Sequence, residues 1–361
     1  MTAGADKTRA LIPVTLLTGF LGSGKTTLLA RLLRKPGMAE TAVIVNEFGE
    51  VGLDHLLVAK GEENVVLLDS GCLCCTVSNA LNETLGDLHF RRVRGEIPRF
   101  KRAVIETTGL ADPAPILHML MTDYLVSAHY ALDGIVTTVD GLHGDDQLDS
   151  HAEAVKQAAL ADRIILTKGD LAGSEALRAL RDRLAALNPA AHLLEAVDGE
   201  LDPAEILGAG LFDPAAKSPD VRRWLSEEAL AGGDHDHADH RHDEGIRSFC
   251  LTLERAASWQ GYAAWLEALR DLSGPDLLRV KGLLEIAGEA RPYVIQGVQH
   301  VFSPPLRLEA WPEGGHRSRL VFITRGIARE TIEGMLGLLC APGPLTPTLA
   351  PFRGRGKGPI P

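Results

Sequence analysis

No uninterrupted apolar run in this chain of 361 residues approaches the roughly 20 residues that a membrane-crossing helix needs. The opening Met1 to Arg9 is polar and too short to act as a secretory leader. Both absences lead to the expectation of a cytoplasmic protein with no membrane partner. Dense Lys/Arg blocks are lacking as well: 37 basic residues stand against 48 acidic ones, a formal net charge of -11, which argues against a nonspecific nucleic-acid binder. The short cluster Arg91-Arg92-Val93-Arg94 reads as solvated surface. Cysteine is scarce. Of the five, three crowd into Cys72-Leu73-Cys74-Cys75, which is not the spread of pairs that makes a disulfide framework, and clustered reduced thiols suggest a metal. Cys250 and Cys340 sit among apolar neighbours and read as buried thiols. There is no internal repeat and no second phosphate loop.

One phosphate loop is present in full. Gly19-Phe20-Leu21-Gly22-Ser23-Gly24-Lys25-Thr26 has the form G-x-x-x-x-G-K-T, follows the apolar run Val14 to Leu17 and precedes the helical stretch Thr27 to Leu33. A strand, a glycine loop and a helix in that order let backbone N–H groups converge on phosphate oxygens. Lys25 would supply a point charge to the outer phosphates, and the Thr26 hydroxyl a ligand to Mg²⁺. The chain is therefore expected to bind a nucleoside triphosphate through residues 19 to 27, Thr27 included.

Length favours two domains, and 45% hydrophobic residues suffice for a core in each. Up to about Val197, buried strands at Thr41–Val45, Val65–Leu68, Ala103–Ile105, Ile135–Val139 and Ile164–Leu166 alternate with helical patterns at Ala80–Phe90, Ile116–Met121, His151–Leu160 and Glu175–Leu187. This alternation predicts an α/β fold, a P-loop NTPase domain with a mostly parallel sheet over residues 10–220. A His/Asp-rich linker follows over 221–245. Strand-like Ser248–Leu253, Val294–Val301 and Leu320–Thr324, with helices at Ser258–Leu272 and Ala328–Leu339, predict a smaller C-terminal α+β domain over 246–340. A Pro/Gly-rich tail occupies 341–361.

Thr167-Lys168-Gly169-Asp170 closes the run Ile164 to Leu166 and fits the N/T-K-x-D guanine signature. A carboxylate at Asp170 accepts from both the ring N–H and the exocyclic amine of guanine, a donor pair adenine lacks, so GTP is expected over ATP. Glu106, after the strand Ala103 to Ile105, is placed as the acid behind Mg²⁺, and Gly109 as a sensor of the γ-phosphate. Asn46 to Glu50 reads as a switch that orders with the γ-phosphate, or as a plain polar strand exit. Three thiolates, Cys72, Cys74 and Cys75, leave a four-ligand zinc site one short, a deficit that Glu50, water or a partner could fill. Half of a fixed zinc site and a set of buried thiols are the competing readings. His235, His237, His240 and His242 alternate with aspartates and serve either as auxiliary metal ligands or as a solvated linker. His118 and His143 belong to no constellation.

With these elements in place, the sequence resembles the CobW-like family of P-loop GTPases. The resemblance rests on the stretch Leu16 to Thr27, on Asn46-Glu47-Phe48-Gly49-Glu50, on Gly71-Cys72-Leu73-Cys74-Cys75, on Glu106 to Pro113 and on Ala161 to Asp170. It extends to Arg279-Val280-Lys281-Gly282 and Gln296-Gly297-Val298-Gln299 in the smaller domain. What it implies is hydrolysis of GTP coupled to binding Zn²⁺, or Co²⁺, at the cysteines and delivery to a client metalloprotein. It further implies that Thr76 to Asn79, with Thr76, Ser78 and Asn79 as contacts, lie near the nucleotide. Some relatives carry an acid just before the switch Asn, where this chain has Val45, so no ligand is carried over there. Two other readings remain: a passive zinc-storage protein with a structural nucleotide, and an ATP-using kinase or chelatase subunit.

Overall fold

The structure, a computed structural model, describes residues 11–45, 65–69, 77–196, 199–208, 245–308, 310–311 and 316–340. The expected linker, apart from Gly245, and the expected tail lie outside the described residues.

The first sheet has seven strands: β1 (Ile12–Gly19), β2 (Thr41–Val45), β3 (Val65–Asp69), β4 (Arg102–Glu106), β5 (Tyr130–Asp140), β6 (Arg163–Thr167) and β7 (His192–Ala196). They lie in the order β3-β2-β4-β1-β5-β6-β7, and every pairing is parallel. Strands covered on both faces are mostly apolar, which explains why these segments read as near-continuous Val/Ile/Leu runs. Their side chains alternate between two cores. Val14, Leu16, Ile44 and Ile105 face one, and Leu17, Val43, Val104 and Val136 the other.

Helix α1 (Lys25–Leu32) covers the second face through Leu28, Leu29 and Leu32. The first face is covered by α2 (Val77–Arg94), α3 (Ala114–Thr122), the one-turn α4 (Tyr124–Ser127), α5 (Gly144–Ser150), α6 (Ala152–Leu160) and α7 (Ser174–Leu187). Helix α4 starts where Asp123 Oδ1 accepts from the N–H groups of Leu125 and Val126 at 2.9 and 3.0 Å, a cap that satisfies two otherwise orphaned donors. The order of connection reverses at β1: β2, β3 and β4 lie on one side of it and β5, β6 and β7 on the other. A parallel sheet offers its binding crevice at such a reversal, beyond the carboxyl ends of the strands.

The second sheet is antiparallel, in the order β11-β10-β9-β13-β8 with β12 beside β10. Its strands are β8 (Ile246–Leu253), β9 (Leu277–Leu284), β10 (Tyr293–Val298), β11 (Val301–Phe302), β12 (Leu306–Arg307) and β13 (Ser318–Arg325). Helices α8 (Trp259–Ser273) and α9 (Arg329–Leu339) cover one face around the fully buried Trp265. The other face meets the first domain: Leu278, Val298 and Ile323 join the core formed by α2, α3 and β1.

Strand β9 is therefore buried along its whole length, and its charged residues have to be paired. Arg279 Nη2 donates to Asp162 Oδ1 at 2.7 Å, and Lys281 Nζ donates to the same oxygen. Asp162 Oδ2 accepts from the Ile135 N–H at 2.8 Å. Burial alone would push the Asp162 carboxyl up, but the two cations and these hydrogen bonds outweigh it and hold it below the ordinary carboxylate range. Cys250 and Cys340, expected as buried thiols, are only half-buried. Cys250 lies on the edge strand β8, facing away from the α8–α9 side that Phe249 and Leu251 fill. No helix among the described residues is long and apolar enough to cross a membrane.

Candidate functional site

The loop between β1 and α1 occupies the crevice. Gly24 caps α1 with φ of 87°, a left-handed conformation that a side chain would strain, and so turns the chain directly into the helix. The Lys25 side chain is folded back and buried, its Nζ donating to the carbonyls of Gly19 at 2.9 Å and Phe20 at 3.1 Å. Ser23 Oγ and Thr138 Oγ1 share a hydrogen bond of 2.7 Å that ties the loop to β5. Phe20 is buried against the His151 ring, centroids 4.4 Å apart. Leu21 is half exposed.

At the head of α1, Thr26 Oγ1 donates to Glu106 Oε1 at 2.6 Å. Glu106 ends β4 and is only 1% exposed, so a carboxylate is carried to the floor of the crevice within reach of the loop. This is a hard, all-oxygen donor set. It suits Mg²⁺, which takes one or two protein oxygens and completes its shell with water and phosphate. The segment that follows, residues 106–112, packs directly on the phosphate loop. A methyl group on Gly109 would stand 2.6 Å from the Leu21 nitrogen and 2.7 Å from its Cα, so only glycine allows the approach.

The carboxyl end of β6 lies on the other side of the loop and is bonded to it. Thr167 Oγ1 donates to the Ser23 carbonyl at 2.8 Å. Lys168, with φ of 55°, sends its Nζ to the Gly22 carbonyl at 2.7 Å and to Asp140 Oδ2 at 2.6 Å. Asp140 Oδ1 in turn accepts from the N–H groups of Leu142 and His143. Burial would push the Asp140 carboxyl up, but the Lys168 bond and the two N–H donors hold it below the usual carboxylate range. Asp170 lies in the short turn Gly169–Leu171 with its side chain exposed, available to a ring bound beside Lys168.

The structure thus brings Gly19 to Thr27, Glu106, Gly109, Thr167, Lys168 and Asp170 to one crevice. Ser78 and Asn79 fall in the first turn of α2. Glu50, Cys72, Cys74, Cys75, Thr76 and the four linker histidines lie outside the described residues, as does the switch 46–50. Asp140 was missed by sequence reasoning. Its signal was its position: it closes the apolar run Ile135 to Val139 just as Glu106 closes Ala103 to Ile105.

Backbone donors gathered at a helix start, with a helix hydroxyl bonded to a carboxylate on a neighbouring strand, define a P-loop nucleotide-binding protein. Residues 13–195 match the family model of the CobW/HypB/UreG nucleotide-binding domain, and residues 246–338 that of the C-terminal domain of the cobalamin synthesis protein cobW. The chain belongs to the CobW-like family of P-loop GTPases. It is 36% identical over 324 residues to zinc chaperone YjiA of Escherichia coli K12, covering 89% of this chain and 96% of that relative. To zinc-regulated GTPase metalloprotein activator 1 of Schizosaccharomyces pombe it is 38% identical over 324 residues, covering 82% of this chain and 77% of the relative. The crystal structure of Zn(II)-bound YjiA GTPase from E. coli matches with a TM-score of 0.68 at 32% identity, covering 91% of this chain and 99% of that one.

Proposed function

We propose that this protein hydrolyses GTP and uses the cycle to bind Zn²⁺ through Cys72, Cys74 and Cys75, with Glu50 as a further ligand, and to pass it to a client metalloprotein. The observation that carries the GTPase half is the Thr26–Glu106 pair of 2.6 Å beside the glycine loop. The zinc half is supported by the names of the two relatives and by the thiol cluster itself. The loop N–H groups cradle the phosphates, and Lys25 exchanges its two carbonyl acceptors for phosphate oxygens. Thr26 and Glu106 would hold Mg²⁺, which when bound neutralises charge on the outer phosphates. Asp170 reads the base, with Lys168 kept in place by Asp140 and Gly22.

Asp170→Asn tests the base assignment. A site that reads guanine through two accepted hydrogen bonds loses at least about tenfold in GTP affinity when one acceptor becomes a donor, with ATP affinity unchanged. Competition binding with both nucleotides measures this. Unchanged selectivity would favour the ATP-using reading.

The coupling is tested by zinc affinity, measured by competition with a chromophoric chelator in the presence of Mg²⁺ with GDP or with a nonhydrolysable GTP analogue. The expected result is zinc held about a hundredfold more tightly with the analogue, a difference of about 2.7 kcal/mol, and lost in Cys74→Ala. Equal affinities in the two nucleotide states would leave a passive metal site.

A further inference from the structure

Beneath the 106–112 segment lies Gln157 of α6, with 0% of its surface exposed. Its Nε2 donates to the Gly109 carbonyl at 3.1 Å and to the Ala111 carbonyl at 3.0 Å, so both amide hydrogens are spent on one loop. The amide cannot be turned over, because Oε1 would then face two carbonyl oxygens. As placed, Oε1 has no hydrogen-bond donor among the described residues, and a buried acceptor left in that state calls for a reason. The helix that carries Gln157 is itself pinned. Thr137 Oγ1 donates to the Gln157 carbonyl at 2.8 Å, and Asn188 Nδ2 donates to the carbonyls of Ala158, Ala159 and Ala161 at 2.9, 3.1 and 2.9 Å.

We propose that Gln157 is a positioning residue for recognition of the terminal phosphate, an inference that rests on the GTPase reading above. A trans peptide points its carbonyl and its N–H in opposite directions, so drawing the Gly109 carbonyl into the core turns the Leu110 N–H outward. Gly109 itself lies against Leu21, so this peptide is held next to the phosphate loop. Gln157 thereby sets the tilt of the loop donors that meet a γ-phosphate. Its spare Oε1 is the acceptor for one more loop N–H when the loop closes on the triphosphate, which accounts for the orphaned oxygen.

The experiment uses the full chain with Mg²⁺, titrated with fluorescent GDP and GTPγS. Gln157→Met, close to the native side chain in length and without donors, should weaken GTPγS about tenfold, as expected for two lost neutral hydrogen bonds, and leave GDP within about twofold. Gln157→Glu should lose GTPγS preference at neutral pH, where a carboxylate opposes two carbonyls, and regain part of it as the pH falls and the acid form supplies one donor. Gln157→Met should show no such recovery. Equal losses for GDP and GTPγS, or no loss of preference, would overturn the proposal. Should Gln157→Met fail to fold, Gln157→Glu decides: recovery of GTPγS preference as the pH falls supports the role, and a preference that does not change with pH refutes it. An unaltered protein without Mg²⁺-dependent guanine nucleotide binding would sink the GTPase reading itself, before any variant is compared.

Discussion

Asp162→Ala will destabilise the protein by about 3–5 kcal/mol, read as a lower urea midpoint, because it removes the carboxylate that two buried cations share. Arg279 is 3% exposed and Lys281 8%, and Asp162, itself 3% exposed, is the carboxylate they share. Removing it also leaves the Ile135 N–H without its acceptor. The same physics gives a control. Replacing all three together, Asp162→Leu with Arg279→Met and Lys281→Met, should recover most of the loss, since apolar groups of similar volume remove the buried cations as well as their carboxylate. A triple variant no better than the single one would mean that the damage lies in packing. The pH dependence has a definite sign. The folded pKa of Asp162 is held below its unfolded value, so its stabilisation is complete above the ordinary carboxylate range and is lost as the pH falls through the lowered folded value.

The second large effect concerns Lys25. Lys25→Ala should lower GTP turnover about a hundredfold or more, the equivalent of roughly 3 kcal/mol for a charge-assisted contact to transferred charge. GTP affinity should fall more than GDP affinity, since the outer phosphate loses most. The substitution also takes a donor from the Gly19 and Phe20 carbonyls, but that loop opens to the crevice, where water replaces it. Thermal stability should therefore change little. Single-turnover hydrolysis with a parallel melting curve separates the two, and turnover within about threefold of the unaltered protein would remove Lys25 from the chemistry.

Much of this was legible in the sequence because period and position carried it. The runs Ala42–Val45 and Ala103–Ile105 are apolar at every residue, as strands buried on two faces mostly are, and they appear within β2 and as the middle of β4. Strand β9 was not legible. Leu277 to Leu284 interleaves Arg279 and Lys281 with apolar residues, which reads as a half-solvated strand or a loop, and the carboxylate that pairs with both cations in the interior, Asp162, is distant in sequence. Strand β7 was hidden for a different reason: His192 to Ala196 lies at the sheet's edge, mostly half-buried, with a weak apolar signal. In the site, Glu106 and Lys25 announced themselves by motif. Gln157 could not, since a glutamine in the helical stretch His151 to Leu160 looks like surface until the fold turns it toward the Gly109 carbonyl.

The ion pair between Asp162 and Arg279 spans 117 positions of sequence. At a synthesis rate of about 5–20 residues per second, the carboxylate leaves the ribosome on the order of ten seconds before its counterions exist. The central strand β1 waits as long for its partner β5, since Ile12 pairs with Tyr130. Nascent chains of the first domain therefore spend that interval with an uncompensated acid and an uncovered apolar wall on α3 and α6. The C-terminal sheet is the last-made piece of the first domain's interior, and a chain that stops short of β9 lacks the residues Leu278, Val298 and Ile323 that complete that core.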